Sequence, residues 1–189
     1  EALDRVSLRG DIDIKSVVFI DLDGFKDVND IYGHSVGDDL IVAIAKTLNE
    51  RVPPGGMLAR MGGDEFAMTI GGDNAEARAA AFAVSVLDAF ATPIQLGERT
   101  IHMGASIGIA SGTLIECTSS ELFRRADIAM YHSNMSGKGR ITHYDAELNS
   151  ARERKLAIEN QIRNGLERDE FEVWYQPIID ARSQKMSSV

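Results

Sequence analysis

Ser16-Val-Val-Phe-Ile-Asp21-Leu-Asp-Gly-Phe25 is the stretch that decides how this chain folds. Val17 to Ile20 form a short apolar run, with the length and character of a strand buried on both faces. Polarity rises abruptly at Asp21, and Gly24 permits the chain to turn. A strand buried on both faces needs a layer above and a layer below it, so the flanking sequence should supply amphipathic helices.

From about Val36, the residues Val36, Leu40, Ile41, Ile44 and Leu48 share one stripe at helical spacing, and Pro53-Pro-Gly-Gly56 stops that helix. Met57 to Ile70 reads as a hairpin, with Met57-Leu-Ala-Arg-Met61 and Glu65-Phe-Ala-Met-Thr-Ile70 on either side of Gly62-Gly63. Glycines there tolerate the positive φ that a tight hairpin demands. Asn74 to Phe90 is a second amphipathic helix, with Ala75, Ala79, Phe82, Val86 and Phe90 facing inward. Ile101, Met103, Ala105, Ile107 and Ile109 then alternate with His102, Gly104, Ser106 and Gly108, which is strand periodicity. Thr118-Ser-Ser-Glu121 is a capping box that opens a helix through Met130, broken by Gly137 and Gly139. Ile141-Thr-His-Tyr144 is a last short strand. The order of elements indicates an α/β (α+β) sandwich, a mixed sheet with helices on its faces.

Beyond Asp145 the character changes. Asp145 to Arg168 reads as a charge-rich helix with Leu148, Ile158, Ile162 and Leu166 as its apolar positions. Phe171-Glu-Val-Trp-Tyr-Gln-Pro177 reads as a strand that Pro177 ends. The expected organisation is one domain over residues 1–145, a connector helix over 146–168, and the start of another domain over 169–189.

The chain has 189 residues, 44% of them apolar and 26% charged, with mean hydropathy −0.13, as expected of one or two soluble globular domains. Its net charge of −9 argues against sequence-independent nucleic-acid binding, which relies on a basic face. Cys117 is the sole cysteine, so an intramolecular disulfide and a cysteine-based zinc site are excluded, and a reducing compartment fits. No apolar run approaches the roughly 20 residues of a membrane span, and no signal-peptide pattern opens the chain. It begins at Glu1 rather than Met, so a piece of a longer cytoplasmic protein is expected, with any membrane or sensory parts elsewhere.

Asp21 and Asp23 flank the end of the buried strand, and Asp64-Glu65 sits at the Gly-Gly hairpin. Carboxylates on rigid turns hold Mg²⁺, a hard ion that takes oxygen ligands and shares them with phosphates. Turns also favour Asp for purely local reasons, and residue types alone leave both readings open. Lys26 and the backbone N–H groups of Gly24 to Lys26 suit phosphate oxygens, and Lys26 equally suits a solvated surface. No Gly-x-x-x-x-Gly-Lys-Ser/Thr sequence occurs, which excludes a P-loop. His102, His132 and His143 lack ligand-like spacing, and Cys117 reads as a bystander.

Arg60-Met-Gly-Gly-Asp-Glu-Phe66 carries the signature of the GGDEF domain, the diguanylate cyclase family. Asp21-Leu-Asp-Gly-Phe-Lys26, Asn29-Asp30, Gly33-His34 and Gly37-Asp38 through Leu40 resemble that family's upstream block in order and spacing. Ala126-Asp127 and Ala129-Met-Tyr131 resemble its late helix, and the likeness spans about residues 5 to 145. The resemblance implies a fold like the palm of nucleotide cyclases and polymerases. It implies condensation of two GTP molecules to cyclic di-GMP with release of two pyrophosphates, across a homodimer in which each 3′-hydroxyl attacks the other α-phosphate. Asp21, Asp64 and the backbone carbonyl of Leu22 would then bind Mg²⁺ or Mn²⁺, with Glu65 beside them at the attacking hydroxyl. Asn29 and Asp38 would read the guanine edge, while Gly24, Phe25 and Lys26 form the turn that holds phosphates. His34 takes a structural role.

This sequence departs from the family pattern in places. Asn134 stands where the family's Tyr-x-Ala-Lys brings a lysine to the triphosphate, while Lys138 keeps the following basic position. Losing that cation is expected to weaken GTP binding. Pro53 and Gly56 replace the Arg and Asp of the family's product-inhibition site, and the usual Asp-x-Leu-Thr-Gly-Leu-x-Asn-Arg opening is absent. Leu166 to Pro177 resembles the beginning of an EAL domain, the cyclic di-GMP phosphodiesterase family, without its Glu-Ala-Leu motif. The resemblances imply a GGDEF–EAL tandem parent and two functions: a diguanylate cyclase, or a GTP-binding domain that regulates the C-terminal EAL domain without turnover.

Overall fold

The computed structural model describes residues 14–112, 117–179, 181–182 and 186–188; residues 1–13, part of the first expected domain, lie outside them. Two compact units divide between Asn149 and Ser150.

In the first unit, strand β1 (Ile14–Asp23) leads through Gly24 into helices α1 (Phe25–Tyr32) and α2 (His34–Asn49). The hairpin β2 (Gly56–Gly62) and β3 (Glu65–Gly71) precedes α3 (Ala75–Phe90) and a small ribbon, β4 (Ile94–Leu96) with β5 (Arg99–Ile101). Strand β6 (Gly104–Ser111), helix α4 (Ser119–Met135) and β7 (Ile141–His143) follow. The main sheet has the order β2-β3-β1-β6-β7. It is mixed: β1 runs antiparallel to both β3 and β6, while β7 lies parallel to β6. The expected sandwich is present.

Strand periodicity sorts the side chains of β1 between two cores. Val18, Ile20 and Leu22 pack with Phe66 and Met68, with Leu40 and Ile44 of α2, and with Phe82 and Val86 of α3. Val17 and Phe19 pack on the opposite face against Ala67, Ala110, and Leu122, Ala126 and Met130 of α4. The same alternation carries Asp21 and Asp23 onto the α4 face. Helix α4 lies close: a Cβ at Gly108 would collide with the Ala126 carbonyl and the Met130 amide. Gly108, which alternates with the apolar residues of β6, therefore makes room for a helix rather than for water.

The structure corrects several expectations. Helix begins at Phe25, eleven residues before Val36, and is interrupted at Gly33, whose φ of +85° no other residue type adopts readily. Phe25 and Val28 supply a buried face too short to stand out as a stripe. The alternation from Ile101 to Ile109 is divided between β5 and β6, which belong to different sheets. Ile101 and Met103 are both buried across the break, so hydrophobicity does not mark where the hydrogen-bond partner changes. Helix α4 is capped as expected, with the Glu121 amide donating to Thr118 Oγ1 at 3.2 Å, but runs past Met130 to Met135.

The division falls within helix α5 (Ala146–Glu167), where Leu148 is half-buried and Ile158, Ile162 and Leu166 are exposed. In the second unit, Phe171 to Pro177 is not a strand; the ladder there is the short pair β8 (Ile178–Ile179) and β9 (Met186–Ser188). Strand-favouring residues alone do not make a strand without a neighbour to pair with, and no described residue pairs with 171–177. Phe171, Val173, Trp174 and Tyr175 are exposed. Among the described residues, no helix is long and apolar enough to cross a membrane.

Candidate active site at the end of the central strands

The antiparallel register of β1 and β3 sets Asp21 directly opposite Glu65. On the other side of β3, Gly62 pairs with Glu65, which leaves Gly63 and Asp64 as the two loop residues of the hairpin. Gly63 has φ +52°, as a two-residue hairpin loop requires. Arg60 holds the loop, donating from Nε and Nη2 to the Gly63 carbonyl at 3.0 and 2.7 Å. The Leu22 amide donates to the Asp64 carbonyl at 3.3 Å, tying β1 to the same loop. Asp21, Leu22, Asp64 and Glu65, adjacent in pairs but forty residues apart, therefore converge at one end of the sheet.

The price of this convergence is electrostatic. Asp21 is pushed up to about 6, first by burial and then by the carboxylates of Asp64, Asp23 and Glu65, with Lys138 opposing them. Glu65 is also pushed up, by burial and then by Asp127 and Asp64. Asn134 Nδ2 donates to Asp21 Oδ2 at 2.8 Å. The residue that the sequence marks as a missing cation is thus a neutral donor to the carboxylate at the centre of the site. Asp23 accepts from Ser106 Oγ at 2.8 Å and from the Gly139 amide at 2.9 Å.

Among the described residues, no group of three or more His, Cys, Asp and Glu side chains is arranged to hold a metal by itself. Asp21 and Asp64, crowded by like charge, with the Leu22 carbonyl, are the oxygen groups that would hold Mg²⁺ or Mn²⁺, ions that keep open positions for water and substrate phosphates.

The remaining candidates lie just beyond β1. Gly24, at φ +82°, caps α1, and its carbonyl accepts from the Asp27 and Val28 amides at 3.0 and 3.3 Å. Amides earlier in the first turn have no intrahelical acceptor, so those of Phe25 and Lys26 are the ones open to an anion. The Phe25 side chain belongs to the core, and Lys26 is exposed. Half-buried Asn29 packs on α2 at Gly37, where a Cβ would collide with Asn29 Oδ1. Exposed Asp38 follows Gly37, so the two candidate guanine readers share the α1–α2 contact. No hydrogen bond joins them to the carboxylate cluster among the described residues. A separate cavity of about 520 Å³, lined by Lys15, Asp73, Asn74, His143 and Tyr144 among others, contains none of the candidate residues. The contacts of Asp23 with Ser106 and of Asn134 with Asp21 leave no mark in the sequence beyond the period-two step from Asp21 to Asp23.

Residues 7–140 match the family model described as diguanylate cyclase, GGDEF domain. The chain belongs to the GGDEF family. Over 178 residues it is 35% identical to the bifunctional diguanylate cyclase/cyclic di-GMP phosphodiesterase MucR of Pseudomonas aeruginosa, covering 92% of this chain and 25% of that protein. It is also 35% identical to the signaling protein YkoW of Bacillus subtilis over 172 residues, 90% of this chain and 22% of that one. A structure comprising only the GGDEF domain of TpbB (YfiN) from P. aeruginosa aligns with a TM-score of 0.68 at 30% identity, over 80% of this chain and 87% of that one. The chain thus spans no more than a quarter of the length of these curated relatives. The GGDEF fold, palm-like with its mixed sheet, is the sandwich described above, and it places the chain among domains of cyclic di-GMP signalling.

Proposed function

We propose that this GGDEF domain is a diguanylate cyclase, condensing two GTP molecules to cyclic di-GMP and two pyrophosphates across a homodimer. The observation that carries the reading is the convergence of Asp21, Leu22, Asp64 and Glu65 at one turn, with Asp21 pushed up to about 6 by burial and its neighbours' charge. Asp21, Asp64 and the Leu22 carbonyl would hold Mg²⁺ or Mn²⁺, which when bound neutralises charge on the phosphates and makes the 3′-hydroxyl more acidic. Asp38 accepts from guanine N1–H and the exocyclic amine, donors that adenine does not offer as a pair, and Asn29 adds a second contact. The first-turn amides of α1, with Lys26 and Lys138, receive the triphosphate. Glu65, raised by burial, is suited to take the proton of the attacking hydroxyl. Each protomer holds one GTP, so the reaction needs two.

In the longer parent, residues 146–168 would serve as a connector helix and 169–189 as the opening of an EAL domain, in the cytoplasm where GTP is found; the bifunctional name of MucR supports that arrangement. One observation favours a second reading, a regulatory domain that binds GTP without turnover. Asn134 brings no charge to the triphosphate and engages one oxygen of Asp21. Bound GTP would then act through its different affinity for two states of the tandem.

The test is incubation of the protein with GTP and Mg²⁺, with product followed by chromatography and binding by calorimetry. Cyclic di-GMP is expected. Binding without product favours the regulatory reading, and no binding overturns both.

A further inference from the structure

We propose that Asp23 is a positioning residue that locks the Gly137-Lys138-Gly139 turn onto the end of β1 and so presents Lys138 to the triphosphate. The assignment rests on the GTP-binding reading above.

Asp23 sits one strand period beyond Asp21, on the same face, but past the residues that pair with β3; its register partner is Gly104 of β6. Both carboxylate oxygens are committed to protein donors: Oδ1 accepts from Ser106 Oγ at 2.8 Å and Oδ2 from the Gly139 amide at 2.9 Å. The site is built to receive that carboxylate. A Cβ at position 104 would stand 2.9 Å from Asp23 Oδ2, so only glycine leaves the carboxylate where it is. Ser106 is completely buried and directs its hydroxyl at Asp23 rather than at solvent.

The turn on the other side of these bonds is one that needs holding. Gly137, Lys138 and Gly139 have φ of +114°, +60° and +56°, three left-handed residues in succession with a non-glycine in the middle. Such a conformation persists only where the surroundings enforce it. The anchors lie on either side of the Lys138 side chain: its own amide donates to the Ser133 carbonyl at 3.1 Å, and the next amide donates to Asp23. A lysine ammonium is a point charge on a flexible stem, so the backbone position largely decides what it can reach. From this turn its charge is felt at Asp21. Asp23 therefore acts on the nucleotide through Lys138 and touches neither metal nor substrate itself.

The experiment is a double-mutant cycle on binding of 3′-deoxy-GTP, which lacks the attacking hydroxyl, in the presence of Mg²⁺. Lys138→Ala should weaken binding by roughly tenfold or more, the loss of a charge-assisted contact. Asp23→Ala should weaken it by a similar factor, and the double variant by no more than about twofold beyond Lys138→Ala alone, because the two act as one unit. Hydrogen exchange at the Gly139 amide, read without nucleotide, should accelerate in Asp23→Ala. If Asp23→Ala melts without cooperativity, Ser106→Ala replaces it: a few-fold weakening is expected in the wild-type background and none in the Lys138→Ala background. Additive losses in a protein that binds well, or a Gly139 amide that exchanges as fast in wild type as in Asp23→Ala, overturn the assignment alone. A wild-type protein that fails to bind 3′-deoxy-GTP overturns the functional reading and takes the role of Asp23 in binding with it.

Discussion

On one face of β1, Val18, Ile20 and Leu22 continue an apolar core to the very end of the strand; on the other, Val17 and Phe19 give way to Asp21 and Asp23. The first face is covered by α1, α2 and α3 and holds most of the large buried side chains. Among the described residues the second is covered by α4, with Cys117 and Tyr144 beside it; it packs closely where Gly108 admits the helix, and then opens into a cluster of carboxylates. One strand, with a period of two, thus serves both ends: its inward face stabilises the sandwich, and its α4 face gives up apolar burial to hold charge. The stability lost at the second face has to come from the first.

Substitutions on the two faces should part company. The largest effect is expected from Asp64→Asn, which removes a carboxylate from the turn; metal-dependent cyclic di-GMP synthesis should fall at least about a hundredfold, with the melting temperature unchanged or higher. Equal losses of activity and stability would mean that the turn is structural. Ile44→Ala, in the fully buried stripe of α2, should cost about 2–5 kcal/mol in denaturant unfolding, because the cavity lies deep in the larger core. Gly108→Ala adds a single methyl on the α4 face and should cost about 1–3 kcal/mol, since three main-chain atoms of α4 stand in its way. A neutral outcome would show that α4 slides freely over the sheet.

The smallest effect has the opposite sign. The folded protein holds the Asp21 proton more tightly than the unfolded chain, about 6 against the ordinary 3.8, so ionising Asp21 costs stability. That loss sets in as pH rises through about 4 and is complete above about 6. Asp21→Asn should therefore be more stable than wild type at pH 7.5 by about 1–2 kcal/mol, after allowance for solvent screening, with the gain shrinking towards pH 4. Thermal unfolding across that range decides it. A variant less stable than wild type at neutral pH would remove the strain ascribed to the α4 face.

Local signals carried a good part of this protein. Val17–Ile20 as a buried strand, the Gly-Gly hairpin, the stripe from Ala75 to Phe90 and the cap at Thr118 depend on contacts within a few residues, so spacing and residue type suffice to read them. Helix α1 as a whole escaped because Phe25 and Val28 are too few to set a period. The break between Ile101 and Gly104 escaped because burial continues while the hydrogen-bond partner changes. Phe171 to Pro177 misled because residue type records a preference and pairing needs a neighbour.

At the site, the sequence by itself determined which groups are present: Asp21, Asp23, Asp64, Glu65, Asn134 and Lys138, with an order and spacing that resemble one family. Their relations were decided by tertiary structure alone. Antiparallel register brought Asp21 opposite Glu65, and the α4 crossing turned Asn134 from a missing cation into a donor to Asp21. Gly104 and Gly139 made Asp23 the anchor of a turn rather than one more carboxylate in the cluster. Residues 113 and 116 positions apart meet through a sheet and a helix packed upon it. No spacing rule in one dimension encodes that meeting, because it depends on how two surfaces fit.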